Sequence, residues 1–238
     1  MKKIIFLAIT LVFLFSVSIA FAEDKPTVGV LRFSNKTGAA WWRGNTGQEL
    51  QDMLISELVS TKAFQVLERR EIDKVISEQK ISESGLVDDA TRVKIGNLKA
   101  AKYLIAGTVS SFEEHTSGSG AGFGFMGFTI GGKKNEAYIA VDLKVVSTET
   151  GAIVDARTIE ASSESSGLSL RGGFGLFSGD LSNQEKTPTG KAIRACIIEI
   201  AEYLQCSLVK GKDDSCMKEY NEKEAARKER TKKSIKLQ

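Results

Sequence analysis

The clearest alternation of apolar and polar positions in this chain runs over residues 137–146. Ile139, Val141, Leu143 and Val145 form one face, and Tyr138, Ala140, Asp142 and Lys144 form the other. A period of two predicts a strand. Turn residues follow at 148–151 (TETG), and 152–159 predicts the returning strand of a hairpin. An apolar run at 27–33 (TVGVLRF) predicts a buried strand that ends in the turn residues NKTG. Shorter runs at 64–68 and 103–109 predict two more strands. Helical spacing takes over elsewhere. Leu50, Met53, Leu54 and Leu58 share a face of a helix starting near Thr46, with Gln48, Glu49, Gln51 and Asp52 off that face. Ile72, Val75 and Ile76 point inward from a helix over 71–79. Asp88 or Asp89 caps another, with Ala90, Val93 and Leu98 inward. The strongest helix opens at Thr187, an N-cap residue, and Pro188, whose missing N–H costs nothing at the first helical position. Its buried stripe is Ala192, Ile193, Cys196, Ile197, Ile200 and Leu204.

These elements make an α/β (α+β) domain, helices against a mixed sheet, interrupted by two Gly- and Phe-rich inserts. In the first, GSGAGFGFMGFTIGG, Phe123 and Phe125 alternate with glycine, and the phase switches before Phe128 and Ile130. In the second, Leu168 and Leu170 flank a serine, and Phe174 and Leu176 flank a glycine. One apolar face and one small polar face suit a transmembrane β-hairpin, with lipid on one side and a wet lumen on the other. The phase switch suits a tip or bulge. The same inserts also read as long surface loops, although such loops are uncommon in compact domains and exposed Phe clusters are a liability in water. Two hairpins supply four strands. Lipid tolerates no open sheet edge, and single-chain barrels need about eight strands. Hairpins that insert must therefore share one barrel among several subunits in a closed ring.

The 238 residues begin with Lys2 and Lys3, an apolar run over 4–15, and a small-x-small site at 20–22 (AFA). This predicts a secretory signal peptide over 1–22, cleaved after Ala22, and hence export across the inner membrane. No Cys stands near the cleavage point, so a lipid-anchored start is not expected. Losing Lys2 and Lys3 lowers the formal net charge from +3 to +1, which gives no indication of nucleic acid. Beyond residue 209, ten Lys and Arg face six Asp and Glu, a pattern that predicts a solvated helical tail over 210–238. In an oxidising compartment Cys206 and Cys216 can pair, while Cys196 lies on the buried stripe. With a single His and no nucleophile or metal spacing, the chain reads as a non-enzyme without cofactor or metal. Gly122, Gly124 and Gly127 match G-x-G-x-x-G, but no helix pattern follows, so the dinucleotide reading is set aside.

The sequence resembles the family of the curli production assembly/transport component CsgG, an outer-membrane channel. The resemblance is carried by VGVLRFSNKTG, FQVLERREIDKVISEQK, AAKYLIAGTVSSFE, AYIAVDLKVVSTETGAIVDA and GKAIRACIIEIAEYL. It implies a CsgG-like domain over 23–209 whose hairpins, about 110–137 and 160–184, build a shared oligomeric barrel. It also implies a periplasm-facing ring homo-oligomer in the outer membrane that exports unfolded, curli-like amyloid subunits with accessory secretion factors. The family's loop after the first strand lines the channel constriction. Here that loop is shorter, 35–47, and by position it offers Trp41, Trp42 and Asn45. Packing against the domain or a neighbouring subunit is the other reading of the two Trp. A periplasmic structural or adaptor protein using the same domain is the alternative function, with the inserts as interaction loops.

Overall fold

The computed structural model describes residues 25–118, 133–166 and 187–234. The predicted leader and the insert residues Phe123, Phe125, Phe128, Ile130, Leu168, Leu170, Phe174 and Leu176 lie outside them. Among the described residues six strands form one mixed sheet: β1 (Thr27–Val30), β2 (Ser34–Asn35), β3 (Gln65–Val66), β4 (Tyr103–Gly118), β5 (Lys133–Ser147) and β6 (Ile153–Ser166). The order is β3-β1-β4-β5-β6. β1 is parallel to both neighbours, β2 continues along β4, and β4, β5 and β6 form an antiparallel meander.

Among the described residues four α-helices accompany the sheet: α1 (Thr46–Ser60), α2 (Ile72–Glu83), α3 (Pro188–Gln205) and α4 (Ser215–Ser234), with a π-turn at Cys206–Lys210 between the last two. Leu50, Leu54 and Leu58 of α1 and the whole predicted stripe of α3 are buried, together with Val30, Ile105, Val109 and the odd-numbered face of β5. That is the core, with helices on one side of the sheet. On the opposite face Lys144, Val154 and Ala156 are exposed. Thr187 caps α3 as its pattern predicts, its Oγ1 accepting from the Gly190 amide at 3.0 Å.

Several expectations change. The first strand ends at Val30, not residue 33, because the chain turns there to send Phe33 into the core. The strand predicted over 64–68 is paired only at Gln65 and Val66. Helix α2 runs to Glu83, but among the described residues its apolar side chains find only partial cover. Val75 is 39% exposed, Ile72 and Ile76 are half-buried, and Ser82 is its buried residue. No helix forms at 88–98. Asp88 instead caps a single turn, its Oδ1 accepting from Ala90 N at 2.8 Å, and Val93 and Leu98 are exposed.

The tail is helical but not simply solvated. Arg157 donates to the Tyr220 carbonyl and to Asn221 Oδ1, Lys223 meets Glu199 at 3.5 Å, and Arg227 meets Glu160 at 3.8 Å. α4 is thereby strapped to β6 and α3.

Candidate functional site

The loop at 35–47 leaves and rejoins the domain at one place. The Phe33 amide donates to the Gly47 carbonyl at 3.0 Å. A Cβ on Gly47 would stand 2.3 Å from the Phe33 carbonyl oxygen, so only glycine permits this closure. The Arg32 guanidinium donates to the Gly44 carbonyl and ties the far side down. Within the loop Asn35 Oδ1 accepts from the Thr37 amide and hydroxyl at 2.9 and 2.8 Å, an Asx-type turn. The Lys36 amide donates to Val109 O at 2.9 Å, and that bond holds the start of the loop on β4.

Trp41 and Trp42 meet edge to face at 5.6 Å, and Trp41 meets Phe112 of β4 at 5.3 Å. Both Trp are half-buried against the core. The Trp41 indole N–H is buried with no acceptor among the described residues. Asn45 stands apart, exposed, its carbonyl accepting from the Gln48 and Glu49 amides at the start of α1.

Sequence reasoning missed Phe112. Its signal was a phase break: Ile105, Gly107 and Val109 hold odd positions on the buried face, then Phe112 takes an even one. A bulge between Val109 and Ser111 makes the switch and sets Phe112 opposite Ile139.

Past that bulge the strands continue as arms. β4 and β5 stay in register through Glu113–Tyr138, His115–Glu136 and Ser117–Lys134 to Gly118–Lys133. β6 follows β5 out to Ser166, opposite Lys134. β1 pairs with β4 only at residues 103–105, and β2 only at 108–109, so the arms outrun the rest of the sheet. Thr189 at the start of α3 donates to Glu114 Oε1 at 3.0 Å and braces their base.

At the other end, Cys206 and Cys216 form a disulfide with Cα atoms 6.1 Å apart, which closes the π-turn onto the first turn of α4. Among the described residues the one group with metal-ligand proximity is Cys206, Asp214 and Cys216, and both its sulfurs are spent in that bond. Cys196 is fully buried, and burial first, then Glu199, pushes its thiol up to about 12. A thiol held neutral and dry is inert. Alkylation of the folded, unreduced protein should therefore modify no cysteine. Denaturation should expose one thiol per chain, and added reductant three. Mass spectrometry that finds Cys196 in a mixed bridge would contradict the assignment.

The Tyr203 hydroxyl donates to both Asp155 oxygens at 2.8 Å beneath the Arg157 guanidinium, and burial is the main cause of its raised pKa. Hydrogen bonding from Arg227 leads the causes that hold the Glu224 carboxyl down at about 2. The first set ties α3 to β6, and the Glu224–Arg227 pair lies within α4.

The family described as "Curli production assembly/transport component CsgG" matches residues 15–235. The proteins of that name from Escherichia coli and Salmonella typhimurium are each 29% identical over 111 residues, covering 45% of this chain and 40% of theirs. The match thus spans two fifths of the length of those relatives. Among solved structures, the hypothetical protein CT253 of Chlamydia trachomatis aligns over 76% of this chain and 96% of its own, at 15% identity and a TM-score of 0.44.

Proposed function

We propose, from the premise that this chain belongs to the family of the curli production assembly/transport component CsgG, that it is one subunit of an oligomeric outer-membrane channel. The channel exports unfolded extracellular subunits of the curli-like amyloid class. The observation that carries this reading is the pair of strand arms. β4 and β5 remain hydrogen-bonded well beyond the domain body and run toward an insert whose Gly and Phe alternate. Strands that leave a soluble domain in register, with polar flanks such as Glu113 and Lys134, suit the base of a membrane hairpin. β6 runs beside them toward the second insert.

Four such strands cannot close alone, so the barrel is shared and the ring is a homo-oligomer. The domain faces the periplasm, reached through the predicted signal peptide. The chain supplies no chemistry: export is passive, and the loop carrying Trp41 and Trp42 narrows the passage to the width of an extended chain. The Trp41 N–H supports an assembled state, because a neighbouring copy can supply an acceptor that none of the described residues supplies.

The test is fractionation followed by planar-bilayer recording. A detergent-extracted, heat-modifiable outer-membrane oligomer is expected. The double variant Trp41→Ala with Trp42→Ala should keep the ring and raise single-channel conductance. An intact ring with unchanged conductance places the narrowing elsewhere, and loss of the ring makes the two Trp interface anchors. A monomer released in periplasmic extract sinks the channel and leaves the adaptor reading.

A further inference from the structure

We propose that a cavity at the base of the domain docks an acidic peptide segment of a separate envelope protein. The cavity, roughly 480 Å³, lies where the start of β1, the end of α1, the start of β4 and the π-turn meet. Lys25, Lys62 and Lys102 line it, and among the described residues no acidic side chain does. None of the three ammonium groups stands in an ion pair among the described residues. That of Lys102 hangs 5.5 Å over the Tyr103 ring. Elsewhere many cations are answered, as Lys74 is by Glu71 and Lys223 by Glu219. Three like charges around one concavity repel each other, so an entering anion gains from all of them.

The backbone keeps one of these lysines at a cost. Lys62 follows the C-cap of α1 with a φ of 56°, the only non-glycine with a positive φ among the described residues. Glycine or asparagine fits that position most easily.

The floor of the cavity decides the class of anion. Pro26, Ala63, Leu208 and Val209 are apolar and half-buried, and a bare polyanion would leave them wet. A peptide that carries carboxylates beside an apolar side chain satisfies rim and floor together. Leu208 and Val209 lie inside the ring closed by the Cys206–Cys216 disulfide, so the oxidised chain presents this wall preformed. The choice of peptide over lipid headgroup rests on the channel reading. β4 enters the sheet at Tyr103, beside the cavity, and runs away from it for about 50 Å to Gly118. The membrane arms and the cavity therefore lie at opposite ends.

The test needs no channel activity. The oxidised full chain in detergent is titrated into a fluorescein-labelled Gly-Asp-Leu-Asp-Phe-Glu-Gly peptide and into its counterpart with Asn and Gln for the acids, and anisotropy is read. The acidic peptide should bind and the amide peptide should not. Lys25→Gln, Lys62→Gln and Lys102→Gln should each weaken binding about threefold, and the triple variant about 30-fold, with unchanged circular dichroism. Lys80→Gln on α2 should change nothing. Equal binding of both peptides, or acidic-peptide binding untouched in the triple variant, overturns the proposal. So does absent peptide binding alongside lysine-dependent binding to phosphatidylglycerol vesicles, which would assign the site to lipid. If the channel reading fails instead, conductance is lost while the lysine-dependent peptide affinity stays.

Discussion

Gly107→Leu is expected to unfold the domain or cost it about 3 kcal/mol or more, and Gly107→Ala about 1–3 kcal/mol. Gly107 is the fifth residue of β4, on the buried face, and the Phe33 ring lies directly on it. A Cβ there would stand 2.3, 2.6 and 2.8 Å from three carbons of that ring. Phe33 is 2% exposed, and a close-packed interior gives its ring little room to move. Its backbone also closes the 35–47 loop through Gly47, so a displaced Phe33 loosens the loop that carries Trp41 and Trp42. The contrast is internal to the chain, since a Cβ on Gly38 or Gly44 meets nothing within 4 Å. Urea unfolding of the full chain in detergent should rank Gly107→Ala well below Gly38→Ala. Adding Phe33→Leu should recover part of the loss as a coupling energy. Equal midpoints for the two alanine variants would show that the ring moves aside freely.

The second large effect concerns the two inserts, which the proposed function places in the membrane as hairpins. Phe125→Arg or Leu170→Arg is expected to abolish outer-membrane oligomers. An arginine at the bilayer midplane costs about 2–4 kcal/mol on the lipid face of a barrel. In a ring that cost recurs in every subunit of one cooperative assembly. Gly124→Ser and Ser169→Asn, on the lumen face by the same alternation, should assemble nearly as the parent does. The yield of heat-modifiable oligomer in outer-membrane fractions is the readout. Similar yields from both kinds of substitution would refute the assigned faces, and normal yields from all four would remove the hairpins from lipid altogether.

The sequence by itself determined the faces. The period-two pattern of β5 and the stripe on α3 each name residues that are buried in the structure, because side-chain direction repeats locally and needs no knowledge of the partner. Thr187 and Pro188 fixed the start of α3 for the same local reason, and the turn at 148–151 fixed the hairpin. Tertiary structure decided what each face meets and where each strand stops. β4 and β5 outlast their apolar alternation, extending through Glu113 and Lys134, because a backbone ladder holds strands whose side chains carry no hydrophobic signal. β1 falls short of its apolar run because Phe33 is drawn into the space over Gly107, across a separation of more than seventy residues that no local window contains. The stripe of α2 looks like a core face but is not buried in the core of the described residues. The charged tail looks solvated but is fastened by Arg157 of β6, which donates to its Tyr220 carbonyl, and by its own Lys223 and Arg227, which meet Glu199 and Glu160 far away in sequence. A pattern states that a face is to be covered, and only the packed chain supplies the cover.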